Sequence, residues 1–250
     1  MNENTMIEKT INALRKNYAI GYKRWFELVR SLEKDTQKEF LRSFMLRPTT
    51  NYWRIVCLLD NARFAMRTIK IDRLHEFDEK MQRALDLLNN YEKDDRLDKK
   101  TLLEKYQVNT YEIGKREQGE YYVQAMFCRE LIGKGFVVLS TEFNYKSGER
   151  IEVVAKEQGK NILWLYEIKA GDTKTNAAAQ VNEYQKSILA AQNVICEMLN
   201  NALCDNDKLK CPTLQIKTAV VQRADKKISG VDKYYLYDDT EKPLQFKEKE

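Results

Sequence analysis

The chain has 250 residues, of which 43% are hydrophobic and 32% are charged, and its formal net charge is +5 at pH 7. This length can form one large domain or two modest ones, and the composition is typical of a soluble globular protein. No run of about 18 apolar residues occurs, and the first residues lack a secretory signal pattern, so we expect neither a membrane span nor secretion. The mild positive charge is compatible with a nucleic-acid partner without requiring one.

Cysteine and histidine usage narrows the chemistry. The five cysteines are odd in number and include no Cys-x-x-Cys pair, so we expect no disulfide framework, no structural zinc and a reducing, cytoplasmic location. His75 is the only histidine, which excludes serine and cysteine triads with histidine and histidine-based metalloproteases. Any hydrolytic chemistry must therefore use carboxylates, lysine and a metal ion.

Residues 3–99 have patterns typical of helices. Apolar residues recur at three- and four-residue spacing from Ile7 to Leu32, and a second run extends from Tyr52 to Ile69 after the break at Pro48. A third run contains Leu74, Phe77, Met81, Leu85 and Leu88. We therefore predict an all-helical N-terminal domain over residues 1–112 that binds DNA, dimerises or contacts a partner.

Two features of this N-terminal part have alternative interpretations. Basic residues lie where the second and third runs join: Arg63, Arg67, Lys70 and Arg73. They are typical of the solvated face of a helix bundle, and a surface that follows phosphates is the alternative. Leu103, Val108 and Ile113 have the spacing of a helix-turn-helix unit. Gln107 occupies the turn position that often takes glycine, so a connecting helix is favoured over a DNA-reading motif.

From residue 117 the pattern changes to helices alternating with strands. We predict a helix over Glu120–Lys134 that ends at Gly133 and Gly135, and another from about Thr175 to Leu203. Five strands are predicted, over Phe136–Phe143, Arg150–Ala155, Ile162–Ile168, Leu214–Val221 and Tyr234–Tyr237. A turn of sequence Lys-Glu-Gln-Gly-Lys separates the second strand from the third. The order α-β-β-β-α-β-β predicts an α/β domain over residues 113–250, with helices packed on one mixed sheet.

Charged residues at the predicted strand ends suggest a site. Glu167 and Lys169 are two positions apart on one strand, so their side chains share a face and Ile168 lies opposite. Glu152 lies in the preceding strand and approaches Glu167 if the two strands form a hairpin. Converging carboxylates repel each other and so raise each other's pKa. A bound Mg²⁺ offsets this repulsion. We expect such an ion to activate water, with Lys169 orienting the hydroxide or stabilising the transition state.

The order and spacing of these residues resemble the PD-(D/E)XK nuclease superfamily, in particular its archaeal Holliday-junction resolvase and RecB-like branches. The matching positions are Glu167 and Lys169 at the end of the third strand, and Gln180 with Tyr184 on the helix that follows. The resemblance covers roughly residues 117–223 and implies a restriction-endonuclease-like αβββαβ core.

The sequence departs from the family pattern at two positions. Glu152 stands where the family usually has aspartate. Gln124 stands where the glutamate of the first helix commonly falls. Glu120 lies one turn earlier on the same helical face and is the expected replacement, with Glu117 as a weaker candidate.

The resemblance implies a Mg²⁺-dependent nuclease, for which Mn²⁺ can substitute, and a DNA endonuclease of restriction, repair or phage defence in particular. Glu152, Glu167 and the carbonyl of Ile168 would hold the metal. Lys169 would act as base or electrostatic stabiliser, and Gln180 would position it or the phosphate. The expected nucleic-acid contacts are Gln124, Tyr184, Lys146 and Lys174. A homodimer is expected if both strands are cut. The alternative is a catalytically inactive nucleic-acid-binding or regulatory protein on the same scaffold.

Overall fold

A computed structural model describes residues 12, 20–48, 52–57, 59, 64–66, 69–70, 75–91, 99–106, 108–109, 119–146, 149–170, 176–200, 203, 205–223, 228–238, 240 and 244–249. These residues form a mixed α/β protein with a five-stranded and a six-stranded sheet. No helix within the described ranges is long and apolar enough to cross a membrane.

The helices lie both before and between the strands. In chain order they are α1 (residues 20–30), α2 (Lys34–Ser43), α3 (His75–Tyr91), α4 (Lys99–Lys105), α5 (Glu120–Gly133), α6 (Ala177–Ala190) and α7 (Gln192–Asn200). Short 3-10 turns follow at Asp205–Asp207 and Cys211–Thr213. The predicted third helical run is confirmed as α3, which buries Phe77 and Met81 on one face.

The N-terminal part also contains a small sheet. Its strands are β1 (Phe44–Pro48), β2 (Tyr52–Cys57), β3 (Phe64–Met66), β4 (Ile69–Lys70) and β5 (Val108–Asn109). They are arranged in the order β1-β2-β3-β5, with β4 paired to β2.

The prediction that the N-terminal part is all-helical is therefore wrong. The expected helix over Tyr52–Ile69 contains β2, β3 and the start of β4. Trp53, Ile55 and Cys57 alternate along β2 and are all fully buried. Aromatic and β-branched side chains favour this half-buried extended arrangement over a helix.

The helix-turn-helix interpretation also fails where the structure describes it. Val108 lies in β5, where it pairs with Met66, instead of at a core position of a helix-turn-helix unit. The favoured connecting helix is present as α4. Ile113, Gln107 and the expected domain boundary at residues 112–113 lie outside the described residues.

The six-stranded sheet forms the centre of the C-terminal part. Its strands are β6 (Phe136–Lys146), β7 (Glu149–Glu157), β8 (Ile162–Lys169), β9 (Gln215–Arg223), β10 (Lys233–Tyr237) and β11 (Phe246–Lys249). The spatial order is β11-β10-β9-β8-β7-β6. Strands β6, β7 and β8 are antiparallel neighbours, β8, β9 and β10 are parallel, and β11 is antiparallel to β10.

Most predicted elements of this part are confirmed, with two differences. The long helix expected to extend to Leu203 is divided into α6 and α7 by a turn at Ala191. Strand β11 was missed because its sequence, Phe-Lys-Glu-Lys, is short and highly charged, as edge strands often are. The turn glycines are placed as expected: Gly135 has φ +82° and Gly159 has φ +73°.

Both faces of the six-stranded sheet are covered. Helix α5 packs on one face, where Phe127 joins a cluster with Tyr166 and Ile168 of β8. Helices α6 and α7 pack on the other face, over Leu163 and Leu165 of the same strand. Alternate residues of β8 therefore enter opposite cores, as the period of a strand requires.

The N-terminal part packs against this sheet. Strand β1 contacts β6, and α2 contacts α5. Trp25 and Trp53 belong to the same hydrophobic cluster as Leu139 of β6. The Tyr22 hydroxyl donates a hydrogen bond to the carbonyl of Leu139.

One cysteine pair was not foreseen. Cys196 of α7 and Cys211 form a disulfide, with their Cα atoms 6.0 Å apart. Cys57 and Cys128 are buried and do not belong to this disulfide. The expectation of no disulfide, which rested on the odd number and the spacing of the cysteines, is wrong for this pair. The fold brings together two cysteines that are separated by 15 positions in the chain, and their spacing alone does not show this.

Candidate active site

The candidate site lies where β7 and β8 separate. The last pair of residues in their antiparallel pairing joins Val153 to Tyr166. Glu152 and Glu167 follow directly after this pair, one on each strand, so they lie at the same end of the hairpin. The predicted hairpin is confirmed, and it brings the two carboxylates into electrostatic contact.

Glu167 is enclosed by residues of its own strand and of α6. Its Oε2 accepts a hydrogen bond from the Tyr184 hydroxyl at 2.8 Å, and Oε1 forms an ion pair with Lys169. Gln180 in turn donates its amide N–H to the Tyr184 hydroxyl. Burial raises the pKa of Glu167, although the Lys169 ammonium acts in the opposite direction. The expected common face of Glu167 and Lys169 is confirmed, and the Ile168 side chain enters the opposite core.

Glu152 is held by the first helix of the C-terminal part. The Gln124 amide Nε2 donates to the Glu152 carboxylate at 2.6 Å and to its backbone carbonyl at 3.0 Å. Burial, followed by the charges of neighbouring glutamates, raises the pKa of Glu152 to about 8. Gln124 therefore donates to the Glu152 carboxylate without adding another charge to the site.

Gln124 and Tyr184 are both internal. Their exposed fractions are 0% and 2%. The expectation that they contact nucleic acid is not supported by this burial, since both side chains lie beneath the carboxylates and hold them.

Glu120 lies at the start of α5, one turn before Gln124, and is exposed. Partial burial of its carboxylate raises the pKa of Glu120, the Lys169 charge lowers it, and Glu142 raises it further. These interactions place Glu120 at the rim of the same cluster. Its expected position beside the site is therefore supported.

Sequence reasoning missed Glu142 of β6. This residue is 5% exposed, and its Oε2 accepts hydrogen bonds from Arg47 at 2.7 Å and from Arg150 at 3.1 Å. Its φ of +50° lies in the left-handed region. The one sign in the sequence was a single carboxylate in this strand, and its partner Arg47 lies 95 residues away in the chain.

The strand register explains why Glu142 belongs to the site. Strand β6 pairs Thr141 with Val153 of β7, so the next position on each strand places Glu142 beside Glu152. The charge of Glu142 contributes to the raised pKa of Glu152. The site thus contains one more carboxylate than the family pattern predicts.

The resulting cluster has an excess of carboxylates. Its acidic members are Glu120, Glu142, Glu152 and Glu167. Its basic members are Lys169, Arg47 and Arg150. Since buried like charges oppose one another, the cluster favours either bound protons or a cation.

The carboxylates of the site are possible ligands for a divalent cation. Among the described residues, no group of three His, Cys, Asp or Glu side chains is placed to hold a metal ion by itself. Mg²⁺ commonly binds one or two carboxylates and completes its shell with water and phosphate oxygens. Glu152 and Glu167 fit this smaller requirement, because they are adjacent carboxylates with raised pKa values.

The side chains of two predicted basic contacts lie outside the described part of the chain. Lys146 is the last residue of β6, and its side chain lies outside the described set. Lys174 and Glu117 also lie outside the described residues.

Comparisons with known proteins gave no relatives. No protein-family model, no curated protein and no solved structure matches the chain.

Proposed function

We propose that this protein is a divalent-metal-dependent nuclease of the PD-(D/E)XK type, acting as a DNA endonuclease. The observation that carries the proposal is the placement of Glu152 and Glu167 directly after the last paired residues of two adjacent strands, with Lys169 bound to Glu167. Two acids that can hold a metal ion, with a lysine beside them, can supply phosphodiester hydrolysis without histidine.

The order of the elements is a second support. Helix α5, the antiparallel strands β6, β7 and β8, helix α6, and then β9 parallel to β8 follow the αβββαβ order that the resemblance implies. The site lies at the carboxyl end of β8, at the junction between the antiparallel and parallel parts of the sheet. Ligands of open α/β sheets commonly bind outside the carboxyl ends of the strands.

Each residue of the site has a proposed role. Glu152 and Glu167 would hold the ion, together with the carbonyl of Ile168, and a bound ion would lower the pKa of water and neutralise charge on the phosphate. Lys169, whose side chain is 15% exposed, stabilises negative charge that develops at the phosphate. Tyr184 and Gln180 keep Glu167 in place through a chain of hydrogen bonds.

The alternative function, a catalytically inactive nucleic-acid-binding or regulatory protein, also has an observation in its favour. Glu152 and Glu167 already have partners, in Gln124 and Lys169. An ion must compete with these contacts. Metal binding therefore distinguishes the two proposals, because a catalytically inactive protein should gain no thermal stability from Mg²⁺ or Mn²⁺.

The decisive experiment is a cleavage assay with a matched control. Supercoiled, linear and branched DNA would be incubated with the protein and Mg²⁺ or Mn²⁺, beside RNA and an EDTA control. We expect metal-dependent DNA cleavage that falls by about 10²-fold or more in Lys169→Met, because a stabilising charge at the reacting phosphate is lost. Lys186→Met is the control, since Lys186 is 73% exposed on α6 and pairs with Glu183.

Two results would count against the nuclease. One is intact substrate in every reaction together with no metal-induced change in melting temperature. The other is cleavage that survives Lys169→Met, which would indicate a contaminating enzyme or a different site.

A further inference from the structure

Glu142 joins two arginines that differ in their surroundings. Its Oε2 lies 2.7 Å from Nη2 of Arg47 and 3.1 Å from Nη1 of Arg150. The Arg47 side chain, from β1, is 6% exposed, whereas the Arg150 side chain, from β7, is 52% exposed. The Arg47 side chain is thus enclosed by protein, and the Arg150 side chain presents about half of its surface to solvent.

The backbone of Glu142 indicates that its position matters. A glutamate at φ +50° is in the left-handed conformation, which is unfavourable for a residue with a Cβ. Such strain persists where the surrounding structure requires it, often at functional sites. Here the required feature is a buried carboxylate that reaches both Arg47 and Arg150.

Arg150 is also placed beside the carboxylates of the site. It lies two positions before Glu152 on β7, so both side chains start from the same face of the strand. Two strand positions span roughly 7 Å. Arg150 therefore marks the rim of the cluster where solvent can reach it.

A polyanion that approaches this cluster needs a cation at its rim. The glutamates of the site repel phosphate, and Lys169 is already paired with Glu167. A guanidinium has five N–H donors and can bind phosphate through two of them at once. One carboxylate oxygen holds the group in place, and the exposed half retains donors for an anion.

We propose that Arg150 binds a backbone phosphate of a nucleic acid beside the site, and that Glu142, anchored by Arg47, is its positioning residue. This inference rests on the proposed nuclease function and adds a substrate contact to it. Neither residue belongs to the family pattern on which the nuclease proposal is based.

The test is a binding titration without metal. Fluorescently labelled duplex and single-stranded DNA would be titrated in EDTA at several KCl concentrations with wild type, Arg150→Gln and Arg150→Lys. Loss of one phosphate contact should weaken binding about tenfold or more. It should also reduce the slope of log K against log salt by about 0.7–0.9. Arg150→Lys should restore the slope but leave several-fold weaker binding, because lysine lacks the two-pronged geometry.

Arg83→Gln is the matched control. Arg83 is a partly exposed arginine that pairs with Glu79 on α3, and its replacement should change neither affinity nor slope. The salt slope separates a phosphate contact from a structural role, since a residue that only neutralises Glu142 releases no counterion on binding. If Arg150→Gln melts far below wild type, the result for Arg150→Lys is used instead. A DNA affinity of Arg150→Lys equal to that of wild type would then contradict the proposal.

The outcomes for the two proposals are distinguishable. Wild-type binding that Arg150→Gln leaves unchanged in affinity and slope would overturn the role of Arg150 and leave the nuclease proposal standing. A wild-type protein that neither binds nor cleaves nucleic acid would overturn both.

Discussion

Glu152 is a carboxyl group whose proton the folded protein retains. Its burial and three neighbouring glutamates raise its pKa to about 8, whereas a glutamate in the unfolded chain has a pKa of about 4.3. Between these pH values the folded state binds more protons than the unfolded state. The free energy of unfolding of the metal-free protein should therefore fall as pH rises through this window.

The corresponding prediction concerns Glu152→Gln. Between about pH 5 and pH 9 the free energy of unfolding should fall less in this variant than in wild type, by on the order of 1–3 kcal/mol, because the amide does not ionise. Urea unfolding in EDTA at a series of pH values measures it. Glu183→Gln, at a side chain 63% exposed on α6, is the control. Identical pH profiles for wild type and Glu152→Gln would contradict the prediction.

At the scale of single residues, local spacing predicted part of the site. Glu167 and Lys169 share a face because strand geometry fixes it, and Gln180 contacts Tyr184 because a helix brings residues at i and i+4 together. Glu142 was not predicted. Its role depends on a strand register and on an arginine from β1, neither of which local spacing encodes.

At the scale of elements, close packing of α1 on β2 gives a sharp test. A Cβ added at Gly21 would lie 2.7 Å from Cδ1 and 3.0 Å from Cε2 of Trp53, whose ring is fully buried. Gly21→Ala should therefore destabilise the protein by about 1–3 kcal/mol, despite the better helix propensity of alanine.

The control for this variant is Gly133→Ala at the end of α5. A Cβ there would meet nothing within 4 Å. Its free energy of unfolding should be unchanged or up to about 1 kcal/mol higher. Chemical denaturation of both variants measures the difference, and equal stabilities would mean that α1 does not pack on Trp53 as described.

The same contact shows why the N-terminal elements were assigned incorrectly. Apolar residues in Tyr52–Cys57 satisfy both a helical and an alternating pattern when the window is short. The choice is made by partners: β2 pairs with β1, β3 and β4, and its inner face meets α1 and α3. Such nonlocal contacts override local helix propensity.

At the scale of the whole molecule, the N-terminal part contributes to the core of the C-terminal part. Met45 and Val56 join the cluster beneath α5, and Trp25 and Phe40 join the cluster that contains Leu139. Arg47 supplies the buried counter-ion of Glu142. A buried carboxylate that loses such a partner typically costs about 3–5 kcal/mol.

We therefore predict that the fragment 113–250 alone will not unfold cooperatively like the full chain. Removing the N-terminal part exposes apolar surface on β6 and α5 and leaves Glu142 without Arg47. The fragment should bind a hydrophobic dye and show a broad thermal transition. Adding residues 1–112 in trans is the control, and it should restore the transition. A fragment as stable and cooperative as the full chain would refute this prediction.

Local patterns in the sequence predict which residues lie at the centre of the site and the order of most C-terminal elements. Hydrophobic period, turn glycines and acid-x-lysine spacing are local properties, and β6 to β9 follow from them. Three contacts are visible only in the folded structure: β1 packs beside β6, Gln124 donates to Glu152, and Glu142 accepts from Arg47 and Arg150. These contacts join residues far apart in the chain, and burial of apolar surface, which has no direction along the sequence, brings them together.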